Sequence, residues 1–485
     1  MMGLTDQVKF PCEQMPEDDR TARLLGIYPQ QQEGLFMQRV RVPAGRIGLD
    51  QWQGLAELVA RYTPDYPLHM TTRQDIELHG VGLREVARVQ GGIHELGLTG
   101  AGACGDTIRN ITCCPSNGFR HGTWDVWDVV KSIQGCVESL PWITDLPRKF
   151  KISVCGCLES CTRPWINDLG LVANEEGTFR AVVAGSLGAK PGAGIPLDEP
   201  VAVEHVLPLV VALLRLFHAQ GDRKRRQRAR LRHVRERLGD KAFLGRVEEF
   251  FHEERAGGAY RIAQLWRVAE DTPLQAHLRL PLGDIMPEAA RELGRAVEEA
   301  NARLRLGPAH DLLVYGRAPL TLSPPLRALS DHVPVVACPG STWCRRGIAD
   351  SRGAADRIGR RLSRQPCVPV AVSGCPNNCP HAAVAPIGLI GRKRVMGGRS
   401  VTGFRILLGG GQGAGSGVAR EIHPFVPAEE IDEAVAWIVG RYRQAVDDGV
   451  TTNFNEMISN EFKGLGETLN RRFGAFATKD KPDAS

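Results

Sequence analysis

Apolar and polar side chains alternate along this chain in a pattern that occurs twice. Val40-Arg41-Val42-Pro43-Ala44-Gly45-Arg46-Ile47 and Leu278-Arg279-Leu280-Pro281-Leu282-Gly283-Asp284-Ile285 match position for position. The period-two alternation predicts a strand, and the Pro and Gly that follow predict a turn. After each turn the apolar residues fall at helical spacing, in DQWQGLAELVARY (50–62) and PEAARELGRAVEEAN (287–301). A further strand in each half is expected to carry an arginine, Arg73 or Arg317.

A second pair of segments repeats more closely. VCGCLESCTRPWINDLGLV (154–172) aligns with VSGCPNNCPHAAVAPIGLI (372–390), which puts Cys157 on Cys375 and Cys161 on Cys379. Upstream, GAC at Cys104 aligns with VAC at Cys338, and the position of Cys344 then falls on Asn110. The order is the same in both halves. The chain therefore reads as a duplicated α+β unit with pseudo-two-fold symmetry.

Composition narrows the class. At 485 residues, with 42% hydrophobic and 24% charged side chains, the chain can build real cores. At roughly 100–200 residues per domain, two to four domains are expected. The net charge of +6 suits an acidic partner or an anionic ligand. Aromatic residues make up only 6%, which argues against stacking platforms for single-stranded nucleic acid. The longest apolar run, around residues 209–214, lies between Pro208 and Arg215 and is short of the ~20 residues that span a bilayer. The N-terminal segment contains acids and no apolar h-region, so a secretory signal is not expected. These features point to a reduced, cytoplasmic setting without membrane or nucleic-acid partners. Between the halves, residues 222–237 include nine basic and two acidic side chains and read as a helix. This segment is either a solvated face, or a lid over an anionic cofactor or dock for an acidic partner.

Thirteen cysteines change the picture. In a reducing compartment their clustering argues for metal or cluster ligation rather than disulfides. Cys338-Pro-Gly-Ser-Thr-Trp-Cys344 is C-x5-C and Cys375-Pro-Asn-Asn-Cys379 is C-x3-C. Four thiolates from two tight loops suit one iron–sulfur cubane or one zinc ion. In the N-terminal half, Cys104, Cys113, Cys114, Cys157 and Cys161 are irregularly spaced, and whether they ligate a second cluster is open. A zinc-stabilised nucleic-acid-binding protein, using the basic segment for phosphates, is the alternative from a different class.

Four cations stand in short, unusual contexts: Arg73 in MTTRQDIELHG, Arg109 in GDTIRNI, and Lys149 and Lys151 in LPRKFKISV. Lys149 and Lys151 are two apart, hence on one face of a strand. Together the four read as a site for a small oxyanion, with forked Arg donors and compact Lys charges.

C-x5-C followed by C-x3-C, with TTRQ, IRN and LPRKFK upstream in that order, resembles the sirohaem- and [4Fe–4S]-dependent assimilatory sulfite and nitrite reductases. The resemblance covers most of the chain, from GIYPQQQEGLFMQRVRVP onward. It implies an internally duplicated α+β fold with paired ferredoxin-like half-domains and two α/β sirohaem/cluster domains. The expected divisions are an N-terminal extension (1–34), a first half-domain (35–100), and a first sirohaem-binding domain with the basic linker helix (101–240). A second half-domain (241–330), a [4Fe–4S]/sirohaem domain (331–450) and a C-terminal tail (451–485) follow. The resemblance places the cluster ligands on Cys338, Cys344, Cys375 and Cys379, with Cys379 also bridging to the sirohaem iron and Asn377 at the cofactor. It places the anion-binding and catalytic quartet on Arg73, Arg109, Lys149 and Lys151, with Arg73 and Arg109 also at the cofactor. The glycine-rich tract at 409–415 becomes a loop near cofactor carboxylates. Six-electron reduction of sulfite to sulfide is the favoured activity, because the second lysine of K-F-K goes with sulfite reducers of the family. Reduction of nitrite to ammonia is the alternative. The chain shows no flavin or nucleotide module, so ferredoxin is the expected donor.

Overall fold

The computed structural model describes residues 8–174, 177–260, 267–362, 367–411 and 417–473, with Leu4 and Ile262. The second half of the glycine-rich tract and the polar C-terminal end therefore lie outside the described residues. Two units are distinguished: residues 1–186, 192–278 and 284–330 form one, and 187–191, 279–283 and 331–485 the other.

In the first unit, Leu35–Val40, Ile76–Gly82 and Leu68–Met70 make an antiparallel sheet. Ile27–Pro29 extends it at one edge and Asp284–Ile285 at the other. The helix Leu49–Tyr62 buries Trp52, Leu55, Ala56 and Val59, the i, i+3, i+4, i+7 set that its sequence predicts. The second copy has Leu274–Arg279, Asp311–Tyr315 and Arg303–Leu306 in one three-stranded sheet, with the helix Pro287–Glu299. The repeat extends to the backbone. Ala44 and Gly45 (φ 55° and 65°) are matched by Leu282 and Gly283 (φ 57° and 82°). Gly45 is required there, because a Cβ would lie 2.4 Å from the Leu306 carbonyl oxygen. The helices of the two copies meet, and Trp52 donates its indole N–H to the Ala290 carbonyl at 2.7 Å.

The α/β part of the first unit is built on Thr112–Cys113, Ile152–Cys155, Leu169–Ala173 and Thr178–Val183. The first three are parallel and the fourth returns antiparallel. The second unit has the same scheme in Val335–Ala337, Val370–Ser373, Ile387–Met396 and Arg399–Leu408, plus Arg420–Pro427 at the edge. In both, the loop after the second strand contains two non-glycine residues of positive φ, Ser160 and Arg163 (56° and 53°) or Asn378 and His381 (58° and 64°). A short 3-10 turn then leads into the third strand, Pro164–Ile166 or Ala382–Val384.

The register corrects one part of the sequence alignment. Cys113 pairs with Val154 as Ala337 pairs with Val372. Val154 and Val372 are equivalent, so the counterpart of Cys338 is Cys114, not Cys104. By the same offset, Cys344 is matched by Arg120, not Asn110. A parallel strand pair joined by a long crossover has no local sequence signal for its register.

Other elements differ from the sequence reading. Arg73 is in a turn, because the Thr71 hydroxyl accepts from the amides of Arg73 and Asp75 at 3.2 and 3.0 Å and curls the chain between two strands. Arg317 lies past the end of its strand and donates to the Asp271 carbonyl. The basic segment is not one helix. Asp222 accepts from the Lys224 and Arg225 amides, a turn follows, and the helix is Leu231–Leu238. Residues 454–473, within the span read as a tail, form a helix that buries Phe454, Met457, Ile458, Leu465, Leu469 and Phe473 in the second unit's core. Val203–Gln220 is long and apolar enough to cross a membrane by length and composition, with 61% of the stretch buried in the fold. Pro208 does not interrupt its helix, Val206–Gln220, because it occupies the first turn, where an amide has no helical partner.

The first sheet also buries charge. Arg41, 1% exposed, donates to Glu138 at 2.8 Å. Asp75 is 1% exposed and its Oδ1 has no hydrogen-bond partner. Burial, opposed by Arg39, Arg73 and Arg41, pushes its pKa up to about 6.

At Gly388 a Cβ would meet the Ala382 carbonyl oxygen at 1.9 Å. Gly388→Ala should therefore displace the 3-10 turn and lower Tm by several degrees, for a loss of about 2 kcal/mol. Gly359→Ala, in a helix with nothing within 4 Å, should leave Tm unchanged or raise it. For Asp75, the folded state keeps its proton to about pH 6, while the unfolded chain releases it near 3.8. Its contribution to stability therefore falls as pH rises from about 4 to about 6. Asp75→Asn should flatten that fall in denaturant titrations by on the order of 3 kcal/mol.

Candidate functional site

In the first unit, three segments converge on the Arg73 guanidinium. The turn at 71–75 presents it, and it donates to the Asn110 carbonyl at 2.6 Å, the Ile152 carbonyl at 3.1 Å and the Asn167 side-chain oxygen at 3.0 Å. Asn110 adjoins Arg109, and Ile152 adjoins Lys151. The Arg109 amide donates to the Phe150 carbonyl at 2.8 Å, and the Phe150 amide to the Thr107 carbonyl at 3.1 Å. Phe150 is fully buried, so Lys149 and Lys151, on either side of it, are directed away from the core; both are half-buried. The structure thus brings together the segments of all four cations that the sequence singles out. Arg73 lies in a turn and Lys149 and Lys151 both precede the regular strand, which begins at Ile152, so these three depart from the expected strand setting.

These arginines are short of counter-charge. Arg109 is 6% exposed and its Nη1 has no hydrogen-bond partner, nor has Arg73 Nε. Burial lowers the pKa of both, for Arg73 to about 10, which leaves them charged at neutral pH. Arg230 and Arg232 also turn inward, at 8% and 7% exposure. Arg230 pairs with the buried Asp168 at 2.6 Å, and Asp168 also accepts from the Lys151 amide at 2.8 Å. In the sequence, Arg230 and Arg232 are only two of nine positive charges in a basic run. The run is neither wholly solvated nor a uniform lid: two of its arginines are buried among the cations, while residues 223–228 are exposed.

In the second unit, Cys338 follows Val335–Ala337, and Cys344 caps the short helix Gly340–Trp343. Cys375 and Cys379 lie in the loop after Val370–Ser373. The Gly374 amide donates to Cys338 Sγ at 3.2 Å. The Ile348 and Ala349 amides clamp the Gly374 carbonyl at 2.8 and 2.9 Å, tying the two cysteine loops together. Side chains are excluded from this junction: a Cβ on Gly374 would lie 2.7 Å from Gly340 Cα. Burial and the neighbouring Cys379 push the Cys338 thiol up to about 11 and the Cys375 thiol up to about 12. Such thiols become thiolates only when a cation compensates them, which is the chemistry of a soft-metal or cluster donor set. Cys379 is exposed. Asn377 is exposed too, and its backbone amide supports Cys375. The neighbouring Asn378 is buried, with an amide nitrogen that has no partner. Its only sequence signal is its place inside C-x3-C.

Among the described residues, no three Cys, His, Asp or Glu side chains are already closed around one point, so a bound cluster requires rotation of the cysteine side chains. Donor chemistry, amides directed at sulfur and glycine-packed loops fit a cluster in the second unit. The uncompensated buried arginines of the first fit anionic groups such as tetrapyrrole carboxylates or an oxyanion.

Comparison with known proteins gives the family. The nitrite and sulphite reductase 4Fe–4S domain family matches residues 104–254 and 329–456, and the nitrite/sulfite reductase ferredoxin-like half domain matches 28–96. The chain is 28% identical over 482 residues to a chloroplastic ferredoxin–nitrite reductase of Zea mays, covering 90% of this chain and 85% of that protein. It is 29% identical to the assimilatory ferredoxin-dependent nitrite reductase of Haloferax mediterranei (88% and 84% covered) and 29% identical to the ferredoxin–nitrite reductase of Synechococcus elongatus (88% and 92%). In fold it is similar to the Mycobacterium tuberculosis NirA protein, with a TM-score of 0.78 at 22% identity, covering 92% of this chain and 91% of that one. The half-domain family matches once, although the structure holds two copies of its strand–turn–helix. Matched over more than half its length, the chain belongs to the nitrite and sulphite reductase family, oxidoreductases that work with a [4Fe–4S] cluster and sirohaem.

Proposed function

We propose that this chain reduces nitrite to ammonia with six electrons from a ferredoxin. The names of the similar proteins above support nitrite over the sulfite reading favoured by the sequence motifs. The observation that carries the reading is the set of buried arginines with unpaired nitrogens beside the K-F-K segment. In this reading Cys338, Cys344, Cys375 and Cys379 would hold the cluster, and Cys379, the exposed one, would also serve the tetrapyrrole. When bound, the prosthetic groups would relay the ferredoxin's electrons to the anion.

The protein's part is electrostatic. Arg73 is held by three acceptors, which leaves two N–H groups, that of Nε and one of Nη1, fixed without reorganisation. Arg109 offers an unpaired Nη1 to an anion. Lys149 and Lys151 supply compact charges, and their ammonium groups are the proton carriers of this set. A low-dielectric setting strengthens each contact. A second reading, sulfite reduction, is favoured by Lys151, whose extra charge suits a dianion.

Initial rates with each anion, using reduced ferredoxin or a viologen dye, should give the larger kcat/KM for nitrite; a larger value for sulfite would establish the second reading. Lys151→Asn should lower sulfite turnover at least about tenfold more than nitrite turnover, about 1.4 kcal/mol of differential transition-state stabilisation. Cys379→Ser should abolish both activities and remove iron, acid-labile sulfide and tetrapyrrole absorbance together. Retention of full activity would contradict the assignment of that residue.

A further inference from the structure

The first unit has its own cysteine nest, on the counterpart of the loop pair that carries Cys338, Cys375 and Cys379. Strand register sets Cys114 in the place of Cys338, and the repeated segment sets Cys157 and Cys161 in the places of Cys375 and Cys379. Where the second unit has Cys344, the first has Arg120. Where the second has Ser373, the first has Cys155. One cysteine of the set is thus exchanged for another, at the strand end.

The four sulfurs lie together. Cys114 Sγ is 4.0 Å from Cys157 Sγ, and Cys114 and Cys155 form one packed cluster with Val172, against which Cys157 and Cys161 lie. Cys155 Sγ is also 2.9 Å from the Thr162 hydroxyl. Cys114 and Cys155 are buried, whereas Cys157 and Cys161 are half-buried in a loop. Packing alone explains buried thiols, which behave as small apolar groups. It does not explain two thiols placed in a loop and turned onto two others.

We propose that Cys114, Cys155, Cys157 and Cys161 form a tetrathiolate site for one soft metal ion, zinc or iron. With metal–sulfur bonds of about 2.3 Å, the edge of a tetrahedral site is about 3.8 Å, close to the Cys114–Cys157 separation. A cubane places its irons and sulfides between the cysteines and needs them further apart. As with the C-terminal four, closure requires side-chain rotation, since no such group is already set about one point among the described residues. Binding is a ligand exchange without redox change: the ion trades water for four thiolates, and the thiol protons pass to solvent. The ion would pin the 156–163 loop to the strand end at 112–114, beside the Arg109–Asn110 segment. The site does not depend on which anion the protein reduces.

The test is metal analysis of anaerobically purified, cofactor-replete protein. One zinc per chain, or a second iron in excess of acid-labile sulfide beyond the one of the tetrapyrrole (six irons to four sulfides), is expected. Cys157→Ser and Cys161→Ser should each lose that equivalent while sulfide content and tetrapyrrole absorbance stay at wild-type level. Because a serine variant can fail to fold, the wild-type protein also serves, by cobalt substitution. Cobalt(II) added after chelator treatment should give a thiolate-to-cobalt charge-transfer band, and zinc should abolish it. Three results would overturn the proposal: no metal beyond that of the C-terminal cluster and the tetrapyrrole, a Cys114–Cys157 disulfide found by mass spectrometry, or four additional irons matched by four additional sulfides.

Discussion

Burial of positive charge without matching negative charge governs the first unit. Arg109, Arg230 and Arg232 are nearly removed from water and Arg73 is half-buried; Asp168 pairs with Arg230 and Glu236 with Arg232, burial inclines Asp75 toward its neutral form, and Arg109 Nη1 and Arg73 Nε have no hydrogen-bond partner. An ion taken from water without compensation costs several kcal/mol even after relaxation. A fold tolerates this where an anion completes the set. That makes the arginines a ligand site rather than a device of stability.

Duplication explains how the same backbone serves two purposes. Both units present a loop after the second parallel strand, with positive φ at Ser160 and Arg163 or at Asn378 and His381. Both keep a glycine where the third strand passes under the 3-10 turn, Gly170 or Gly388. These features fix where thiols can be displayed. The side chains then diverge: both units keep C-x3-C, but only the second has C-x5-C, and the first surrounds its corresponding strands with cations.

Legibility in the sequence follows the range of the interactions. The strand–turn–helix repeat at Val40 and Leu278 is readable because alternation and helical spacing are local. The paired loops at Cys157 and Cys375 are readable because identical residues, among them both cysteines and the glycine before the last leucine, recur in order. Arg73 has the surroundings of a strand residue, yet a single hydroxyl, that of Thr71, bends the chain out of its extended pattern. The two inward arginines of the basic run are hidden because charge density says nothing about direction.

Order and spacing along the chain are enough to establish the duplication, the two cysteine-bearing loops and the family to which they belong. Three further facts come from packing: Cys114 stands in the place of Cys338, Asn378 is the buried asparagine of its loop, and Arg230 and Arg232 join Arg73 and Arg109. The first is set by strand register, and the other two by how a loop and a helix pack against the rest of their unit. That is a relation between segments far apart in sequence, and no local pattern encodes it.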